Sequence, residues 1–287
     1  MVREIGWYDG VFAAPDQLKV SIEDRGFLFG EGVYEFVMAY NGIFWGVEEH
    51  LDRLERSLSL MEMEMPMPRP ELLALMKKAV AMVEGPTRGV YLQVTRGAAP
   101  RTHSYLKLKG AKLMMIVRPY DEHRDVYLTR GYTAITLPDL RWQHCDIKTL
   151  NLIPNTMAAT QAERAGADLA IFVRDGMVTE GAAYNICIVR DGVVYTSPLC
   201  DGILPGVTRQ HFVPLLAELG IPLKEASFSL AEMLAADEVF ATATSVHPAP
   251  VVRIDGRDIA DGQPGKTALL LDAAYEKMIE QVCGKRY

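Results

Sequence analysis

Lys148 is the one lysine in the run Arg141-Trp142-Gln143-His144-Cys145-Asp146-Ile147-Lys148-Thr149-Leu150-Asn151-Leu152-Ile153-Pro154-Asn155. An amine set among apolar and small polar neighbours is suited to act as a nucleophile or a proton carrier. Glu180 closes an apolar segment and is followed by the small residues Gly181-Ala182-Ala183, so a flat ligand can come close to its carboxylate. Gly206-Val207-Thr208 opens an apolar helical pattern, where unpaired N–H groups and the helix dipole favour an anion. Thr242, Thr244 and Ser245 place hydroxyls at a strand end and could complete such a site. Arg101 and His103 stand two apart on a loop, a fork of donors beside an imidazole, which suits a carboxylate. Each group also has a plainer reading: a lysine with its head in water, an ordinary helix cap, two solvated loop residues.

The elements that must position these groups are legible from pattern. Val33 to Tyr40 is rich in β-formers, and Asn41-Gly42 supplies a two-residue hairpin turn that returns through Ile43-Phe44-Trp45. From Val47 to Met61 the apolar residues Leu51, Leu54, Leu58 and Met61 recur at helical spacing, which sets His50, Arg53 and Ser57 along a flank of the stripe. From the pattern alone, a surface arginine with a buried stem is the better reading of Arg53. Glu71 to Val83 is a second amphipathic helix, and Val90–Thr95 and Lys112–Arg118 are strands. The polar stretch 120–125 is the expected linker between a domain of residues 1–119 and one of residues 126–287. In the second half, Tyr132–Leu137 is a strand and Pro154 opens a helix. Leu169–Val173 pairs with Met177–Glu180 across Arg174-Asp175-Gly176, and Asn185–Val189 with Val193–Tyr195 across Asp191-Gly192. Ser229-Leu230-Ala231-Glu232 is a capping box, and Gly265 to Cys283 forms the last helix.

Composition narrows the function. At 287 residues with 49% hydrophobic content the chain can bury a large core, and its net charge of −7 argues against nucleic acid or an anionic membrane surface as the main partner. There is no membrane-length apolar run and no signal-peptide core, which points to the cytoplasm. The four cysteines form no C-x-x-C pair, so neither a disulfide framework nor a zinc site is expected. No P-loop, G-x-G-x-x-G or G-x-S-x-G motif occurs. Taken together, a lysine, a carboxylate about thirty residues later, an anion cradle and an Arg/His loop match the needs of pyridoxal phosphate. Its aldehyde takes an amine, its ring nitrogen takes a carboxylate, and its phosphate takes donors.

Seven ordered segments carry a family likeness: Glu23-Asp24-Arg25-Gly26 with Phe29-Gly30-Glu31-Gly32-Val33-Tyr34-Glu35; His50-Leu51-Asp52-Arg53-Leu54; Thr95-Arg96-Gly97; Pro100-Arg101-Thr102-His103; Asp146-Ile147-Lys148 with Leu150-Asn151; Val178-Thr179-Glu180-Gly181 with Asn185; and Ile203-Leu204-Pro205-Gly206-Val207-Thr208-Arg209. In these the chain resembles the class IV, or fold-type IV, pyridoxal-phosphate aminotransferases, most closely the bacterial D-amino acid (D-alanine) aminotransferases. The resemblance implies an α/β fold of α+β type, with a smaller N-terminal α/β domain and a larger, β-rich C-terminal domain flanked by helices. It implies that Lys148 is the Schiff-base lysine and that Glu180 pairs with the ring nitrogen. Arg53, Val207, Thr208 and Thr244 would hold the phosphate, and Tyr34, Arg101 and His103 would bind the substrate α-carboxylate. The expected partners are an amino donor and a 2-oxo acid such as pyruvate or 2-oxoglutarate, with a homodimer as the assembly.

Three places depart from the family pattern: Ala182-Ala183-Tyr184 where serines are usual, Ala243 in place of a serine, and Phe36 in place of a smaller aliphatic residue. They bear on side-chain preference. Rival readings within the fold are an (R)-selective amine transaminase, an aminodeoxychorismate lyase and a branched-chain aminotransferase. A cofactor carrier without activity is the rival outside enzymes.

Overall fold

The computed structural model describes every residue except Lys107, Lys109, Arg286 and Tyr287. Two compact units divide the chain: Met1–Asp121 with Ile147–Asn151 and the C-terminal end from Ile279, and Glu122–Asp146 with Leu152–Met278. No single cut in the sequence expresses this division, because the segment around Lys148 belongs with residues more than a hundred positions earlier.

In the first unit the elements are β1 (Ile5–Tyr8), β2 (Val11–Ala13), α1 (Arg25–Phe29), β3 (Gly32–Tyr40), β4 (Ile43–Phe44), α2 (Val47–Leu60), α3 (Arg69–Met82), β5 (Thr87–Thr95) and β6 (Lys112–Pro119). The strands form one antiparallel sheet in the order β2-β1-β6-β5-β3-β4. Asn41 and Gly42 both take left-handed backbone angles, φ 53° and 82°, as the tight β3–β4 turn requires. Strand alternation decides the rest: Val33, Val37 and Ala39 of β3, with Val90, Leu92 and Val94 of β5, pack against Leu51, Leu54 and Leu58 of α2 and Leu72 and Met76 of α3. The intervening residues Tyr34, Phe36 and Met38 therefore look out from the opposite face.

The second unit contains α4 (Arg124–Arg130), β7 (Tyr132–Pro138), α5 (Ile153–Arg164), β8 (Leu169–Arg174), β9 (Met177–Gly181), β10 (Asn185–Arg190), β11 (Val193–Thr196), α6 (Val207–Glu218), β12 (Leu223–Glu225), α7 (Leu230–Leu234), β13 (Glu238–Ala243), β14 (Val246–Ile254), β15 (Arg257–Asp258) and α8 (Lys266–Cys283), whose last turns count with the first unit. Its sheet runs β12-β11-β10-β13-β14-β7-β8-β9, with β15 on β14, and is mixed: β14–β7, β7–β8 and β11–β12 are parallel. Both faces of β8 are buried, Leu169 and Ile171 in the cluster that holds Met233 of α7, Ala170 and Phe172 against Ala158 and Ala162 of α5. The capping box at Ser229 forms with both of its hydrogen bonds. Among the described residues no helix is long and apolar enough to cross a membrane.

The stretch 120–125, expected as a linker, is half built into the second unit: Glu122 is buried and α4 begins at Arg124. A non-local charge cluster is the reason. His247 of β14, wholly buried, lies 3.6 Å from Glu122 Oε1, 3.5 Å from Asp272 Oδ1 and 3.7 Å from Glu276 Oε2, while Arg124 pairs with Asp272 and the Tyr275 ring sits 5.0 Å from the imidazole. Burial favours the neutral ring, but Asp272 and Glu122 outweigh it and raise the His247 pKa above its ordinary 6.5. A folded pKa raised above the unfolded one means stability present below pH 6.5 and lost as pH rises through the folded value. The unfolding free-energy difference between wild type and His247→Gln, from urea titrations, should therefore be largest near about pH 6 and shrink by about pH 9. A difference independent of pH would mean that folding leaves the ring's affinity for its proton unchanged, and one that grows with pH that the ring is buried neutral.

Candidate active site

Lys148 is held on the first unit by backbone pairing. Tyr34 N donates to Lys148 O at 2.9 Å and Leu150 N to Gly32 O at 3.0 Å, so the segment lies along β3 like a short extra strand. A side chain on Gly32 would meet the Leu150 side chain at 2.6 Å and the Val94 carbonyl at 2.7 Å, and only glycine permits the approach. Ser57 of α2 accepts from Lys148 N at 3.3 Å. The half-buried side chain then places Nζ 4.1 Å from the centroid of the Tyr34 ring, a cation–π contact that fixes where the amine points. Lys148 and Tyr34, expected as site residues from 114 positions apart, are thus together.

The same strand presents Glu35 to the opposite, helix-packed face, between Val33 and Val37. A carboxylate in that core must be paired. Positions 50 and 53 of α2 share a helix face, and both answer it: Arg53 Nε donates to Oε1 at 2.7 Å and Nη2 to Oε2 at 2.9 Å, while His50 Nδ1 lies 2.7 Å from Oε2. Burial would raise the Glu35 pKa; Arg53 and then His50 outweigh it and hold the carboxyl well below the usual range. Burial pushes the His50 ring below its ordinary value, with Glu35 opposing and Arg53 and Lys148 adding to the depression. Arg53 is therefore a buried, oriented guanidinium rather than a surface side chain. Glu35 went unnoticed as a strand former, though an acid in phase with Val33 and Val37 is itself the signal.

Arg101 and His103 are exposed on their loop, and both flank Phe29: the Arg101 guanidinium is 4.9 Å from that ring and the imidazole 5.9 Å. Arg25, fully buried on α1, also lies over the Phe29 ring at 4.5 Å and donates to the Thr102 carbonyl at 2.6 Å, and Glu31 binds it at 2.9 Å. The loop is thereby tied at its backbone while the Arg101 and His103 side chains stay exposed. On the outward face of β3, the Tyr34 and Tyr91 rings stack at 5.6 Å and Phe36 meets Tyr120 at 5.3 Å. Phe36 also fills the space over Gly89, where an added Cβ would fall 2.4 Å from the ring.

In the second unit Glu180 ends β9 and is buried. Three donors surround it: Arg141 on Oε1, and Asn185 Nδ2 at 3.2 Å and Leu204 N at 3.1 Å on Oε2. Burial pushes its pKa up to about 7, even with Arg141 drawing it down. Gly181 makes the turn to β10 possible, its N–H donating to Tyr184 O at 2.7 Å, and Tyr184 packs into the core. Of the Ala182-Ala183-Tyr184 departure, Ala182 and Tyr184 pack into the core and Ala183 is exposed.

Helix α6 opens at Gly206 without a side-chain cap, so the N–H groups of Val207 and Thr208 face outward from the first turn. A Cβ at Gly206 would fall 2.0 Å from Asn185 Oδ1, which leaves no other residue possible there. The Thr208 hydroxyl donates to the Ala243 carbonyl at 2.8 Å, so its backbone N–H, not its hydroxyl hydrogen, is what an anion can use. Thr244 lies in the β13–β14 turn, and the neighbouring Thr242 hydroxyl is buried with no hydrogen-bond partner among the described residues. An uncapped helix start, an orphaned hydroxyl and a donor-bound carboxylate form a set that fits a phosphorylated pyridine.

The family model for amino-transferase class IV matches residues 32–254, and the chain belongs to that family. It is a pyridoxal-phosphate-dependent aminotransferase of the fold-type IV architecture. The chain is 38% identical over 277 residues to a D-alanine aminotransferase of Staphylococcus epidermidis, covering 95% of this chain and 96% of that one. It is likewise 38% identical to the D-alanine aminotransferase of Bacillus licheniformis over 275 residues, with the same coverage. Among solved structures, the branched-chain aminotransferase of Thermoproteus uzoniensis with norvaline superposes with a TM-score of 0.86 at 28% identity, covering 96% and 94% of the two chains. A second branched-chain amino acid aminotransferase, solved with pyridoxamine 5'-phosphate, superposes with a TM-score of 0.88 at 27% identity, covering 98% and 95%.

Glu35→Gln removes the charge that Arg53 and His50 share and leaves the buried guanidinium without its carboxylate. It should cost about 3–5 kcal/mol in urea unfolding. A loss below about 1 kcal/mol would show that Arg53 finds another partner.

Proposed function

We propose that this aminotransferase moves the amino group of a D-amino acid such as D-alanine to a 2-oxo acid such as pyruvate or 2-oxoglutarate. One observation carries the reading: likeness over nearly the whole chain to D-alanine aminotransferases, at 38% identity. Two further features support it, the Arg101/His103 pair on a tethered loop and the Lys148 amine aimed by Tyr34. Homodimeric assembly and a cytoplasmic setting belong to the same reading, on the strength of the family resemblance.

Pyridoxal 5'-phosphate supplies an aldehyde that bonds amines and a ring that accepts electron density from the substrate Cα. Lys148 and Glu180 would hold it at its aldehyde and ring nitrogen; Arg53, the Val207 and Thr208 N–H groups and Thr244 would hold its phosphate. In the first half of the cycle Lys148 Nζ takes the proton from Cα of the amino donor as general base, and in the second it gives a proton to Cα of the former oxo acid. Tyr34 keeps that amine on one course, so the proton leaves and returns on one face. Arg101 and His103 bind the donor's α-carboxylate, which sets the hand of the substrate. Overall the donor leaves as its 2-oxo acid and the acceptor as an amino acid, in a ping-pong sequence.

A branched-chain reading is favoured by the superposed branched-chain enzymes. A panel of D- and L-amino acids and (R)-1-phenylethylamine separates the possibilities. D-alanine should be the better donor; preference for L-leucine or for the amine would overturn the assignment. Lys148→Ala should abolish exchange. Arg101→Ala should lower kcat/KM for D-alanine by roughly 100-fold or more and barely touch the uncharged amine, since only the former loses a charged contact. Equal losses would remove Arg101 from the carboxylate site.

A further inference from the structure

Arg141 stands at the beginning of the lysine-bearing stretch, yet its side chain belongs to Glu180 and Asp139. Its guanidinium is divided: Nε donates to Asp139 Oδ1 at 2.9 Å, Nη2 to Asp139 Oδ2 at 2.8 Å, and Nη1 binds Glu180 Oε1. Asp139 is fixed in turn, by the Arg141 backbone N–H at 3.1 Å, the Thr179 hydroxyl at 2.9 Å and Arg174 Nη2 at 3.2 Å. The Phe172 ring lies 4.8 Å from the guanidinium carbon. All of these residues belong to the second unit. A planar fork with one arm on each carboxylate is geometry that arginine supplies and lysine does not.

The hydrogen-bond partners of Glu180 are donors only. Arg141 occupies Oε1, and Asn185 and Leu204 occupy Oε2; the Asn185 amide is oriented by donating also to the Leu204 carbonyl at 3.0 Å. A carboxylate offers about four lone-pair positions, so one remains, on the oxygen shared with Arg141. A protonated Glu180 would aim its own hydrogen at groups that are themselves donors. We propose that Arg141 is the positioning residue that keeps Glu180 ionised, so that the proton shared with the cofactor resides on the ring nitrogen, and that Asp139 aims Arg141 for this purpose. The proposal rests on the assignment of Glu180 to that nitrogen.

The charges around Glu180 are consistent with it. Asp139, Arg141, Arg174 and Glu180 sum to zero when all are ionised, and the nearby Cys145 thiol is neutral, burial pushing it up to about 11. Glu180 itself is near about 7 with Arg141 in place, burial being the raising cause and Arg141 the largest opposing one. Arg141 is the one cation that pairs with Glu180 among the described residues, and without it the carboxyl holds its own proton at neutral pH.

The test is the ring nitrogen itself. Wild type, Arg141→Lys and Arg141→Met, each loaded with cofactor labelled with 15N in the ring, are followed by nitrogen chemical shift across neutral pH. Wild type should show the protonated ring. Arg141→Met should move to the unprotonated position and lose on the order of 100-fold in kcat with KM for the donor little changed, and Arg141→Lys, which keeps charge, should recover the protonated signal in part. A residue with only a structural role would not be rescued in this way. If Arg141→Met does not fold, Asp139→Asn, which loosens the aim and leaves the cation, should give an intermediate shift. An Arg141→Met or Asp139→Asn signal identical to wild type overturns the proposal alone. An unprotonated ring in wild type overturns it together with the role given to Glu180.

Discussion

Two backbone hydrogen bonds, Tyr34 N to Lys148 O and Leu150 N to Gly32 O, decide what this molecule can do. They lay the lysine segment along β3 and make that strand the axis of the first unit's chemistry. One face of β3 then carries the amine and its aromatic guide. The other carries Glu35 into the helical layer, where it orders His50 and Arg53. Because strand side chains alternate, a shift of one residue in this pairing would exchange the two faces and put the carboxylate beside the amine. The Gly32 position, closed to any side chain, keeps the segment close to the strand and in register.

Three clusters of buried charge among the described residues are compound. Glu35 is shared by Arg53 and His50, Glu180 and Asp139 share one cation, and His247 sits among three carboxylates with Arg124 alongside. Isolated buried ions would be prohibitive; sharing spreads the desolvation over several partners and makes each group's direction depend on the others. Two of these clusters contain residues assigned to cofactor binding. The third fastens α4 and α8 to β14, a structural use of the same device.

Much of this was legible in the sequence. Asn41-Gly42, the Ser229 capping box and the helical stripe of Leu51, Leu54 and Leu58 are local signals, each with a mechanism confined to a few residues, and each formed where expected. Lys148, Glu180 and the Gly206 helix start stand out as candidates by type and neighbours, each with a plainer reading beside it, and their proposed roles come from the family resemblance. What escaped were the supporting charges. Glu35 lies 15 and 18 positions from its partners and Arg141 lies 39 from Glu180, distances over which no periodicity speaks. The stretch 120–125 spans the division between Asp121 and Glu122, yet a buried histidine 125 residues beyond Glu122 gathers a cluster that claims two of its members, which no local pattern signals. Membership of Ile147–Asn151 in the first unit depends on strand addition, which sequence pattern does not encode.

Phe36 and Gly89 constrain how the outward face of β3 changes over time. The phenyl ring occupies the volume that any β-carbon at 89 would need, and Tyr120 closes the far side. Neither position can be altered freely while the other stays as it is: a larger residue at 89 collides with the ring, and a smaller one at 36 opens a void beside a bare backbone. Divergence of this face must therefore pass through paired exchanges, a narrow passage between otherwise accessible sequences. Libraries that vary this face of β3 should randomise the two codons jointly.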